Sequence, residues 1–214
     1  MSAGPTDPRA EVPADPQAEA MLSFWFGDDP AQPLAKSARW FERSDAFDAE
    51  VRARFGALAE AAAHGALDGW AATPRGALAL AIVLDQFPRN LHRDSPLAFA
   101  QDAHARQITE DALARGLDAA LTPVQRWFLV MPLMHAEDAA AQARCVALFD
   151  ALLAATQAPE DRAVHEALAY ARAFAARHRE VVARFGRFPH RNPVLGRETT
   201  PAEAAWLEAH PGGF

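Results

Sequence analysis

Apolar residues recur at three- and four-residue spacing over most of the chain, and the strict alternation of a half-buried strand is almost absent. This spacing predicts helices over residues 17–26, 45–64, 74–87, 96–115, 123–135, 138–156, 160–185 and 201–209. The boundaries rest on a recurring start signal, a hydroxyl residue followed by proline, at Thr73-Pro74, Ser95-Pro96, Thr122-Pro123 and Thr200-Pro201. The hydroxyl accepts a bond from an otherwise unpartnered amide, and proline suits a first helical position, where its missing N–H is not needed. Gln125 and Glu203 extend two of these signals to capping boxes. Gly65, Gly116 and Gly212 follow helical patterns and mark stops.

Residues 77–84 are uninterrupted apolar positions and also fit a buried strand. Their alanines and leucines, and the Thr73-Pro74 start, favour a buried helix. Residues 1–16 carry proline, alanine and charge without an apolar period and read as a disordered arm. The expected architecture is all-α, with residues 17–214 forming one domain of antiparallel helices. No repeat of fixed period stands out.

Composition narrows the function classes. The formal net charge of −7 argues against nucleic acid, whose phosphates require a basic face. The one cysteine, Cys145, permits no intrachain disulfide and fits a reducing cytoplasm. It lies among Val146, Leu148 and Phe149 and reads as core. The N-terminus lacks the basic start and apolar middle of a signal peptide. The longest apolar run is too short to span a bilayer, so a soluble cytoplasmic protein without a membrane partner is expected.

Three polar blocks carry the candidate chemistry. Residues 185–197 concentrate Arg187, His190, Arg191 and Arg197, with Arg184 just before them and Asn192 among them, and no acid intervenes before Glu198. Two prolines and two glycines shape this stretch into a loop. Clustered guanidinium groups suit a carboxylate or phosphate, or an acidic peptide. Residues 84–90 carry Asp85, Gln86, Arg89 and Asn90. Pro88 disfavours helix at Phe87, which sets Asp85 in a last helical turn, where the dipole repels it and Arg89 is the nearest compensation. Pro132 kinks or ends the helix before His135, Glu137 and Asp138. In a continuous helix His135, Asp138 and Gln142 share one face. Histidine beside carboxylates is a plausible acid/base pair, and Glu137 and Asp138 equally suit the opening of a new helix.

No metal-binding spacing, nucleophile elbow, Walker loop or dinucleotide fingerprint occurs, so neither metal nor cofactor is expected. Trp25 and Trp40, with Phe24, Phe26, Phe41 and Phe47, stand at spacings usual for core, though a tryptophan can also wall a pocket. His178 lies on the helix leading into the arginine loop and can face it.

These blocks resemble a bacterial family catalogued as domain of unknown function 924. The resemblance spans residues 20–210 and rests on residues 24–27, 40–41, 84–90, 131–138 with Gln142, 184–192, and 195–197 with Thr199 and Thr200. Ala136 departs from it, standing where many members carry serine. The resemblance implies a tetratricopeptide-like right-handed superhelix of helix pairs and assigns no activity.

Two readings of function follow. In one, the blocks meet around a site for a small anionic molecule. Arg89, Arg187, Arg191 and Arg197 hold the anion, His135 or His190 moves protons with Glu137 or Asp138 orienting the imidazole, Trp25 and Trp40 wall the site, and the chemistry is hydrolytic or proton transfer without a cofactor. In the other, a helical groove binds an acidic peptide or a C-terminal carboxylate.

Overall fold

The computed structural model describes residues 15–211. The expected arm and the stop at Gly212 therefore lie largely outside the described residues, although Asp15 and Pro16 already cap and begin a helix. Among the described residues there are eight α-helices and no strand: α1 (Pro16–Phe26), α2 (Asp45–Ala63), α3 (Pro74–Leu91), α4 (Asp102–Ala114), α5 (Pro123–Met134), α6 (Ala139–Ala155), α7 (Arg162–Phe185) and α8 (Pro201–Ala209). No described helix is long and apolar enough to cross a membrane.

The hydroxyl-proline signals behave as their chemistry requires. Thr73 accepts from the Gly76 amide at 3.1 Å. Thr122 with Gln125, and Thr200 with Glu203, form complete capping boxes. Ser95-Pro96 instead opens a single 3-10 turn, and α4 begins only at Asp102. The expected helix over 96–115 is thus broken near Phe99–Gln101, where Ser95 caps only the short turn.

α3 lies at the centre, against α1, α2, α4 and α5; α5, α6 and α7 then pack on one another. Its run over 77–84 is apolar on every side and is wholly buried, as a helix without a polar face must be. A Cβ on Gly76 would stand 2.0 Å from the Trp70 carbonyl oxygen, so the turn before α3 approaches it through bare backbone. Aromatic rings fill the space beside α3. Trp25 meets Phe87 and Phe128 at centroid distances of 5.9 and 5.6 Å. A second, smaller apolar cluster joins Val181, Val182, Phe188 and Trp206 at the other end of α7.

Four expectations are corrected. α3 does not stop before Pro88 but runs on to Leu91. Proline in a helix interior removes one backbone bond, at a cost of about 3 kcal/mol. Burial of Phe87 and Leu91, and two contacts from Arg89 back to Asp85, oppose that cost. Asp85 is consequently an interior helix residue, and the dipole argument does not apply to it. α5 passes through Pro132 and ends at Met134, so His135 caps α5 while Asp138 caps α6, and the two never share a helix face. Finally, Trp25 is sealed in the core and walls no pocket, because Phe47, Phe87 and Phe128 enclose its ring.

Candidate functional site

The site grows from the middle of α3. Asp85 is only 1 % exposed, and a buried carboxylate needs compensation. His135 Nδ1 donates to Asp85 Oδ1 at 2.7 Å, Gln86 Nε2 donates to Oδ2 at 2.5 Å, and the Arg89 guanidinium stands 3.2 Å from Oδ1. Arg89 continues to Asp102 at 2.9 Å. Asp102 accepts from Arg191 Nη1 at 3.0 Å, and Arg191 Nη2 donates to the His135 carbonyl at 3.1 Å. The contacts close a ring: His135, Asp85, Arg89, Asp102, Arg191 and back to His135.

Two carboxylates and two guanidinium groups cancel within this ring. Burial would push the Asp85 carboxyl up, but Arg89 and His135 outweigh it and hold the group well below the ordinary carboxylate range. Burial pushes His135 down; the Asp85 charge opposes this, and Arg89 reinforces it, so the net direction is downward. The imidazole is therefore neutral near pH 7, with its proton on the Nδ1 that faces Asp85 and a lone pair on Nε2. No group among the described residues bonds that Nε2. Nearby, His178 Nδ1 donates to the Phe174 carbonyl at 2.9 Å. Burial and the neighbouring His135 lower His178 to about 3. Burial and Arg191 lower His190 to about 4.

His135 divides two cavities. On one side lies an apolar pocket of about 180 Å³, lined by Phe41, Trp127, Met131, Met134, Tyr170, Ala171, Phe174 and His178 as well as His135. On the other lies an open polar cleft of about 580 Å³ that includes Phe99, Asp102, Arg106, Glu110, Glu137 and Arg191. Two helical stripes build the apolar side. Trp127, Met131 and Met134 follow one face of α5; Tyr170, Phe174 and His178 recur every fourth residue on α7.

Of the sequence candidates, Asp85, Gln86, Arg89, His135 and Arg191 meet directly. Glu137 and Arg197 flank them as a two-bond pair at 2.6 and 2.9 Å, and Glu137 also accepts from the Phe188 amide at 2.8 Å. Arg187 turns away to Glu203, with bonds of 2.6 and 2.9 Å, and Asn192 joins Glu203 at 3.3 Å. Asn90 binds Asp48. Asp138 accepts from the Ala141 amide at 2.8 Å as the α6 cap, and Gln142 ties the α5–α6 connection through the Met134 and Ala136 carbonyls. Trp40 donates its indole N–H to the Trp25 carbonyl at 2.8 Å inside the core. Cys145 is buried, and burial pushes its thiol up to about 12.

Sequence reasoning missed Asp102, which falls inside the expected helix over 96–115 with nothing to set it apart, and missed the α7 stripe as a wall. The four-residue spacing of Tyr170, Phe174 and His178 marks one face of a helix without separating a pocket wall from core. Among the described residues no group of three or more His, Cys, Asp and Glu side chains gathers to hold a metal ion.

The fold and the sequence blocks both have counterparts. The solved structure of a protein of unknown function from Agrobacterium tumefaciens is 38% identical and superposes with a TM-score of 0.73, covering 90% of this chain and 97% of that one. No curated protein matches this chain. The family model described as bacterial protein of unknown function (DUF924) matches residues 21–211, and the chain belongs to that family.

Proposed function

We propose that the protein transfers protons by general-base catalysis at His135, acting on a small molecule held in the apolar pocket of a cytoplasmic protein, without calling on a cofactor. One observation carries this reading. His135 lines an apolar pocket while its Nδ1 is held at 2.7 Å by a buried carboxylate. A carboxylate behind an imidazole fixes the tautomer and stabilises the imidazolium that forms when Nε2 takes a proton. Gln86 and Arg89 in turn fix the carboxylate. The polar cleft on the other side of His135 offers a route by which the proton returns to water.

An anionic ligand has less support. Arg187, Arg191 and Arg197 are already bonded to Glu203, Asp102 and Glu137. In the polar cleft, Arg106 and Arg191 stand beside Asp102, Glu110 and Glu137, so the lining offers no excess of positive charge.

A base-sensitive probe tests the reading. In a nitrobenzisoxazole, the base removes the ring C–H proton, the freed electron pair completes a nitrile, and the N–O bond breaks to release a coloured nitrophenolate. The wild-type protein is expected to accelerate this opening above buffer, His135→Ala to abolish the gain, and Asp85→Asn to reduce it by about 10²-fold or more. The rate should level off below the pH at which free imidazole does, because the neutral form is the base and His135 is shifted downward. A His135→Ala protein as fast as wild type would end the proposal.

A further inference from the structure

The pocket beside His135 also limits what can be bound. We infer that it takes a small uncharged molecule, one apolar ring or a short branched chain, with a single O–H or N–H donor directed at His135; simple phenols are the type. The inference rests on His135 being the neutral acceptor proposed above, and three observations specify the ligand.

Size comes first. The pocket measures about 180 Å³. An apolar cavity of about 150 Å³ is enough for benzene. One six-membered ring with a substituent fits, a bicycle as small as a benzisoxazole enters through the open rim of Phe41 and Tyr170, and a larger polycyclic body or a nucleotide does not.

The walls come second. Met131, Met134, Trp127 and Phe174 present sulfur and aromatic carbon, surfaces that favour another ring. At the rim, Phe41 is 55 % and Tyr170 is 64 % exposed. The large hydrophobic side chains left exposed among the described residues are Phe41, Leu97 and Tyr170, and two of the three border this pocket. A bound ring removes apolar surface of both from water.

Hydrogen-bond polarity comes third. The Nδ1 proton of His135 is committed to Asp85, so Nε2 can only accept. A ligand that brings a proton donor completes it. A carboxylate brings two acceptors instead and meets a lone pair. Protonating the ring to suit the anion works against the burial that already lowers His135. The ion-pair ring behind it supplies no spare charge, because Asp85 and Asp102 are matched by Arg89 and Arg191.

The test is calorimetric titration of the wild-type protein with phenol, toluene and benzoate at a pH above 7. These share a ring and differ in donor, neutral and anionic substituents. Phenol should bind about tenfold more tightly than toluene, the worth of one satisfied hydrogen bond, and more tightly than benzoate. Phenol binding should vanish in Ala171→Trp, which fills the pocket, with circular dichroism verifying that the variant remains helical. If that variant does not fold, competition between phenol and the nitrobenzisoxazole in the wild-type protein replaces it, and phenol must inhibit. Equal affinity for phenol and toluene, tighter binding of benzoate, or phenol binding that survives a folded Ala171→Trp overturns the inference. Failure of all three ligands to bind while the probe reaction still requires His135 overturns it too, leaving the base intact. Phenol binding without a His135-dependent reaction sustains the ligand class and removes only the catalytic reading.

Discussion

Acidification from pH 7 to pH 5 should unfold this protein more readily, and buried imidazoles set the amount. His178 is lowered from 6.5 to about 3 by burial and the neighbouring His135, and His190 to about 4 by burial and Arg191. An unfolded histidine with the ordinary value takes up most of a proton across this interval, whereas the folded groups take up almost none. The unfolded state therefore gains proton binding that the native state lacks, and stability falls as the pH drops below 6.5; above that it is unaffected by these groups. Across the two-unit interval each histidine accounts for roughly 2 kcal/mol, so the pair accounts for roughly 4 kcal/mol. His135 acts in the same direction. Urea unfolding at constant ionic strength, at pH 7 and pH 5, measures the difference. His178→Gln should remove about half of the pair's contribution, and His190→Gln the other half. Equal stability at the two pH values would refute the reasoning, as would folded-state imidazole resonances for His178 and His190 that titrate near 6.5.

Two further outcomes follow from the ion pairs. Asp85→Ala should cost about 3–5 kcal/mol in urea unfolding, because it strands Arg89 and leaves His135 Nδ1 without its acceptor inside the protein; a cost within about 0.5 kcal/mol would mean that the pair is not buried in solution. Arg197→Ala removes bonds to Glu137, Asn192 and the Phe188 carbonyl, so amide hydrogen exchange should accelerate more in α8 than in α3; equal acceleration would mean that the two apolar clusters open together.

Much of the helical framework is legible in the sequence because its punctuation is local. Thr73, Thr122 and Thr200 each cap a helix with atoms three residues away, and no tertiary information is needed. Pro88 misleads for the opposite reason. Its cost is local, but the burial of Phe87 and Leu91 that opposes it depends on α1, α2 and α5, which the sequence does not bring into view. The same divide runs through the site. Asp85, Arg89, His135 and Arg191 stand out because charged and imidazole groups interrupt apolar or proline-bearing segments. Their mutual contacts are another matter, since Asp102 takes up two of the four arginines that the sequence assigns to a ligand, Arg89 and Arg191. Trp127, Met131 and Phe174 cannot be told from core positions by spacing, because a pocket wall and a core face have the same helical period.

The fully apolar run within α3 carries a hazard for the folding chain. Residues 77–84 hold no charge and no proline, and they include Ile82, Val83 and two further leucines beside Leu84. Such a segment is harmless while α1, α2, α4 and α5 enclose it. Released before those helices have docked, it is an uncharged apolar run open to association with copies of itself. Arg75 and Asp85 are the nearest charges on either side and act as its gatekeepers. Asp85 would thus guard a nascent chain against aggregation before it ever meets His135, and substitutions there should lower soluble yield by more than the loss of native stability accounts for.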